Sequence, residues 1–280
     1  MSIPRRLLPV LVAVLIAACA APHAGPSMTV ATTDDPETTL LAHIYAAGLR
    51  YYGTTARVQV SDDVMIALDT ATASVAPGFT GRLLARLNPE STARSAASVY
   101  RAMAAALPEG IAAADYAVAA EDKPALAITE PTARAWGSRD LAALADNCAG
   151  LRVGARTGVQ TAPEVGDCTL GPVREYGSAA ALFGALQDGA ITAAWTTTAD
   201  TAVPDGVVVL VDRRPALLPA DNVVALYRRN ELGAMELRAV NEIAGVLDTA
   251  ALAGMLRKVQ TGADPQAVAE EWLAANPLGR

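Results

Sequence analysis

From Met28 to Tyr227, short runs rich in Val, Ala, Ile and Thr alternate with segments whose apolar residues recur every three or four positions. That alternation is the pattern of helices layered on largely parallel sheets. MTVAT (28–32) reads as the first strand. Asp34-Asp35-Pro36 then caps and opens a helix, along which Leu40, Leu41, Ile44, Tyr45 and Leu49 return at helical spacing. His43 lies among those apolar neighbours, as a partly buried or surface residue rather than a ligand. Strands follow at 58–60 and 74–76, the second broken by Pro77-Gly78 before a helix from Thr80. A helix over Ser91–Leu107 carries Val99, Tyr100 and Met103 on its core face. Further strands are predicted at 117–119, 125–129, 151–155, 191–195, 207–211 and 222–227, with Ser138 and Ser178 as helix caps. VVVLV (207–211) and NVVALY (222–227) are continuous apolar runs and read as buried strands. Beyond Arg229 only helices are expected, over 231–246, over 248–260 and from the Asp264-Pro265 cap through Trp272.

Ahead of these elements, Arg5 and Arg6 precede an apolar run from Leu7 to Ala18, the order of a signal peptide and too short to cross a bilayer. Ile16-Ala17-Ala18-Cys19 resembles the bacterial lipobox, so residues 1–18 are expected to be removed and Cys19 to carry lipid. Residues 19–27, with Pro22, Gly25 and Pro26, then form a flexible tether. Losing the two signal arginines changes the formal charge from -7 to -9, which disfavours a sequence-independent grip on nucleic acid. Cys148 and Cys168 remain as an isolated pair; in an oxidising compartment they are expected to form one disulfide.

Several chemistries lack their parts. There is no GxSxG elbow, and His43 is the one histidine in the structured region, so a Ser-His or Cys-His unit has no base. GARTGV (154–159) lacks the Gly-Lys-Ser/Thr ending of a phosphate loop. No His/Cys set suits zinc, and Asp62-Asp63 and Glu270-Glu271 are adjacent acids of the kind that face solvent. Neither a catalytic set nor a cofactor or metal site is expected; the chain reads as a binder.

Four segments carry a resemblance. They are VATTDDPETTLLAHIYAAGL (30–49), SVAPGFTGRLL (74–84), the middle stretch from DYAVAAEDKPA to ITAAWTTTADTAVPDGVVVLVD (191–212), and the tail from ADNVVALYRR to AEEWLAANPL. Together they resemble the substrate-binding proteins of ABC importers for glycine betaine, choline and related osmoprotectants. The resemblance implies an α/β, two-lobed type II periplasmic-binding-protein fold with a hinged inter-lobe cleft. Residues 28–115 and 220–280 would form lobe 1 and residues 116–219 lobe 2. It also implies a monomeric, lipid-anchored receptor on the extracytoplasmic face, with a small solute and an ABC permease as partners.

Such proteins enclose a quaternary ammonium in aromatic rings, each ring face contributing about 0.5–2 kcal/mol. By position, the resemblance places Phe79, Tyr116 and Trp195 in the cleft, with Arg82, Thr33, Asp34, Thr198 and Asp200 as polar contacts or latches between lobes. Three departures stand out. Gly78 replaces a glutamate, Arg82 replaces a threonine, and LLPADNVVAL lacks a tyrosine. Fewer rings and an added cation weaken recognition of a bare cation, unless Arg82 forks to a carboxylate. A zwitterion, or a neutral or anionic hydroxylated ligand, therefore stays open, as does a sensor or scaffold role on the same fold.

Overall fold

The computed structural model describes residues 27–159 and 161–279. The expected signal peptide and Cys19 lie outside the described residues. The elements run β1 (Met28–Thr32), α1 (Pro36–Tyr51), β2 (Ala56–Val60), α2 (Val64–Asp69), β3 (Val75–Phe79), α3 (Thr80–Leu87), α4 (Ala96–Ala106) and β4 (Ile111–Glu121). Next come β5 (Pro124–Thr129), α5 (Glu130–Trp136), a 3-10 turn (Leu141–Ala143), α6 (Leu144–Asn147), β6 (Val153–Arg156), β7 (Glu164–Val165), β8 (Cys168–Thr169) and β9 (Arg174–Tyr176). The chain closes with α7 (Ala179–Gln187), β10 (Ala193–Thr197), β11 (Val207–Val209), β12 (Asn222–Arg228), α8 (Ala234–Val246), α9 (Thr249–Gln260) and α10 (Pro265–Ala275).

Two five-stranded sheets organise two lobes. The first has the order β2-β1-β3-β12-β4, with β1 parallel to both neighbours and β12 antiparallel to β3 and β4. On one face lies α1, started by Asp35, whose carboxylate accepts from Thr38 N, and by Pro36. Its Leu40, Leu41, Ile44, Tyr45 and Leu49 have no exposed surface, and each leucine so buried contributes about 1.5–3 kcal/mol. Helices α8, α9 and α10 enclose α1, so the C-terminal tail completes this lobe. The other face packs Leu68, Leu84, Val99 and Met103 against Ile111, Val224 and Leu226.

The second sheet has the order β11-β5-β10-β6-β9. Because strand side chains alternate, Ala193 and Trp195 of β10 join one core with Leu126, Ile128 and Val153, while Ala194 joins Leu182, Phe183 and Leu186 on the other face. Cys148 and Cys168 are disulfide-bonded within this lobe. No helix among the described residues is by itself long and apolar enough to cross a membrane.

The structure departs from the sequence reading at several elements. β4 is one strand that stays in the first sheet through Glu121, past the expected boundary at 115. Its partner register shifts twice along β12, and its buried residues are Ile111, Ala114, Ala117 and Ala120. Such bulges replace the two-residue strand period with a spacing of three, so the strand extends on both sides of the expected 117–119. VVVLV is an edge strand, only half-buried at 207–209, because β5 covers one side alone. α4 begins at Ala96, capped by Ser95, later than the expected start at Ser91, and Ser138 precedes a 3-10 turn and a single helical turn.

Candidate functional site

The chain crosses between sheets at Asp122-Lys123 and again over Leu210–Asp221. The two crossings touch directly, Asp122 N donating to Asp221 O at 3.0 Å. β3 delivers Phe79 to this point and α3 begins at once, without a capping side chain of its own. Asp221 supplies the cap from the second crossing, its Oδ1 accepting from Gly81 N at 2.7 Å and Arg82 N at 2.9 Å. Gly81 permits that approach: a Cβ there would lie 2.5 Å from the Ala220 carbonyl oxygen.

Arg82 gathers three carboxylates. Its Nη1 donates to Glu37 Oε2 at 2.9 Å, its Nη2 to Asp122 Oδ2 at 2.5 Å, and its Nε sits 3.0 Å from Asp221 Oδ2. Beneath the guanidinium lies the Phe79 ring, 4.0 Å from its centroid to Cζ. The second oxygen of Asp122 accepts from Ala199 N at 2.8 Å, carrying the network into the second lobe. Lys123 pairs with Asp212 at 3.2 Å, both buried, and thereby joins the first crossing to the second.

Charge in this cluster is unbalanced. Burial, and then the neighbouring Asp122 charge, push the Glu37 carboxyl up to about 7, partly opposed by Arg82. Burial raises Asp221 to about 6, against the pull of Arg82. Burial disfavours the Arg82 cation, but Asp221, Glu37 and Asp122 more than offset it and hold its pKa above the ordinary value.

Beside the network a cavity of about 170 Å³ opens between the lobes. Asp35, Glu37, Leu256 and Gln260 line it from the first lobe, Asp122 from the crossing, and Arg156, Thr197, Ala199, Asp200 and Thr201 from the second. Asp200 is held by Thr196 Oγ1 at 2.8 Å and Ala202 N at 2.9 Å, which leaves Arg156 only a loose 3.8 Å contact with it. Thr201 Oγ1 donates to Gln260 Oε1 at 2.6 Å, joining the two lips. Glu37 Oε1 is buried without a hydrogen-bond partner among the described residues. A larger groove, about 790 Å³, lies between α8 and residues 275–279. It draws every lining residue from one lobe, so hinge motion cannot act on it.

The structure brings together only some of the residues singled out by sequence. Asp200 lines the cavity, and Arg82 contacts two residues that do. Asp34 is exposed on the loop beside it, while Thr33 Oγ1 is engaged with Thr38 Oγ1 at 2.9 Å. Thr198, directly after β10, fastens the first crossing, donating to Glu121 O at 3.0 Å and accepting from Lys123 N at 3.1 Å. The expected cleft exposure of the rings is not found. Trp195 is 1% exposed in the second-lobe core, and Phe79 is 2% exposed beneath Arg82. Tyr116 packs on Tyr100, centroids 4.9 Å apart, against the first-lobe core. Among the described residues no aromatic side chain lines the cavity. Sequence reasoning misses Glu37, Asp122, Asp221 and Arg156; the only cue to the three acids is Arg82, a cation that needs acidic partners.

Two α/β lobes joined by two crossings, with a cavity lined from both sides, define the type II periplasmic-binding-protein fold. The chain matches the family model for the substrate binding domain of the ABC-type glycine betaine transport system (OpuAC) over residues 26–275, and it belongs to that family. This is a family of extracytoplasmic solute-binding components of ABC transporters, not of enzymes. Similar solved structures include a glycine betaine/carnitine/choline ABC transporter protein, with a TM-score of 0.74 at 17% identity, covering 89% of this chain and 98% of that one. Apo YehZ from Escherichia coli superposes with a TM-score of 0.69 at 17% identity, covering 90% of this chain and 99% of that one. A choline binding protein in complex with choline gives 0.55 at 17% identity, covering 90% and 89% of the two chains. At these identities the likeness establishes the fold. No curated protein matches the chain at a significant level.

Proposed function

We propose that this protein captures a small osmoprotectant-like solute (glycine betaine, choline, carnitine or a related compound) in the inter-lobe cleft and delivers it to an ABC permease. Lipid on Cys19 would keep it at the extracytoplasmic face of the membrane. The observation that carries this reading is the cavity lined from both lobes beside the two crossings, since a ligand there favours the closed arrangement by touching both sides at once. A second reading, a ligand that is not a quaternary ammonium, is favoured by the absence of any ring among the residues lining that cavity.

Thermal-shift screening of the mature protein against betaines, choline, carnitine, polyols and amino acids tests the receptor role, because a ligand of the folded state alone raises apparent stability. A saturable shift supports it; a flat response to the whole panel refutes it. Mass spectrometry of the membrane fraction tests the anchor, an unmodified Cys19 removing it.

A further inference from the structure

We infer that the cleft is built for a small zwitterion whose cationic end donates N–H hydrogen bonds to Glu37 and whose carboxylate is taken by Arg156. This rests on the receptor reading and specifies its ligand class. A quaternary ammonium has no N–H group, and its methyl groups need aromatic faces to replace water. Here no ring faces the cavity, and the Phe79 ring is already covered by an internal cation, the Arg82 guanidinium.

The wall offers acceptors in place of rings. Glu37 lies in the first turn of α1, is 8% exposed, and keeps one carboxylate oxygen without a partner. A buried acceptor left unpaired is costly, and a ligand ammonium with hydrogens relieves that cost where a methylated one does not. Asp122 and Asp35 border the same space, so the first-lobe side carries more negative charge than Arg82 neutralises.

Across the cavity, Arg156 closes β6 in the second lobe. No hydrogen bond to its guanidinium is formed among the described residues, only the 3.8 Å contact with Asp200, whose oxygens are engaged elsewhere. A planar fork in this condition suits a carboxylate. Acids on one lobe and a fork on the other require a ligand with a positive and a negative end, and such a ligand bridges the lobes. The volume, about 170 Å³, is below the range of about 300–1,000 Å³ typical of drug-sized ligands, and suits a molecule of amino-acid size.

Calorimetry and thermal shift on the mature chain, comparing three amines with their fully N-methylated counterparts, test this directly. The pairs are glycine with glycine betaine, L-proline with proline betaine, and γ-aminobutyrate with γ-butyrobetaine. At least one N–H form is expected to bind tenfold or more tightly than its methylated partner. Glu37→Gln and Arg156→Gln are each expected to weaken that binding about tenfold, with the melting temperature of ligand-free Arg156→Gln unchanged. Equal or tighter binding of the methylated forms overturns the proposal, as does binding indifferent to both substitutions. Binding confined to polyols overturns the zwitterion and leaves the receptor role standing; no binding across the whole panel overturns both.

Discussion

The Arg82 guanidinium lies over the Phe79 ring at 4.0 Å, so the protein supplies its own cation to the aromatic face that the family resemblance assigns to a ligand. The same side chain ties both crossings, through Asp122 and Asp221, to the first turn of α1 through Glu37.

Replacing Arg82 with Ala strands three largely buried carboxylates. Losing one partner of a fully buried pair costs about 3–5 kcal/mol. Nearly half of the Arg82 side chain meets water, so a loss nearer about 2–3 kcal/mol is expected by urea denaturation at neutral pH. Arg82→Lys is expected to recover little, because a single ammonium cannot reach acceptors spread around a planar fork.

Stability is expected to fall as pH rises across this cluster. Glu37 and Asp221 are raised, from 4.5 to about 7 and from 3.8 to about 6, so between those limits the folded state binds protons that the unfolded state has released. The associated stability is fully present below the unfolded values and lost as pH passes through about 6 and 7. Each tenfold change in proton affinity on folding is worth about 1.4 kcal/mol, which puts the loss on the order of a few kcal/mol. Denaturation midpoints from about pH 5 to 8 should show this decline, and Glu37→Gln should flatten it while raising stability at the alkaline end.

Gly81→Ala forces a methyl group to within 2.5 Å of the Ala220 carbonyl and 2.9 Å of Asp221 Oδ1. Backbone must shift, at a cost of about 1–3 kcal/mol. Weaker Asp221 capping of α3 should accompany it, visible as faster amide exchange at Gly81 and Arg82.

Reducing the Cys148–Cys168 bond, or replacing both cysteines with Ser, releases a loop with a sequence separation of 20. The expected loss is about 3 kcal/mol in the chain-entropy account. It should appear as lower protection of the second lobe in hydrogen exchange, with α1 and α10 unaffected.

Phe79→Ala and Trp195→Ala are expected to act through stability, by about 3–5 kcal/mol each, because both rings fill cores. A melting temperature near that of the parent protein, with binding abolished, would return those rings to the cleft.

Much of this architecture is legible in the sequence. The Asp35-Pro36 start of α1, the buried NVVALY strand and the three closing helices follow from local rules of capping and periodicity, and they form as those rules require. β4 is obscured because two bulges against β12 set its buried residues three apart, a pattern that depends on the partner strand. The site is harder to read. Position along the chain assigns rings to the cleft, but whether a ring faces a cavity or a core depends on what packs above it, and for Phe79 that is a side chain three residues on. Glu37, Asp122 and Asp221 lie far apart in the chain, and only the meeting of both crossings with α1 brings them to one guanidinium.

The return of β12 between β3 and β4 also sets an order of assembly. Every strand of the second sheet lies within residues 124–209, so that lobe has all its parts while the first still lacks a central strand. Until Asn222–Arg228 is synthesised, the inner edges of β3 and β4 have no partner, and α1 stays uncovered until α8, α9 and α10 follow. From the completion of residue 209 until the closing helices are made, the chain therefore carries a finished half and an unfinished one, and the unfinished half exposes the strand edges and apolar helix face on which aggregation begins.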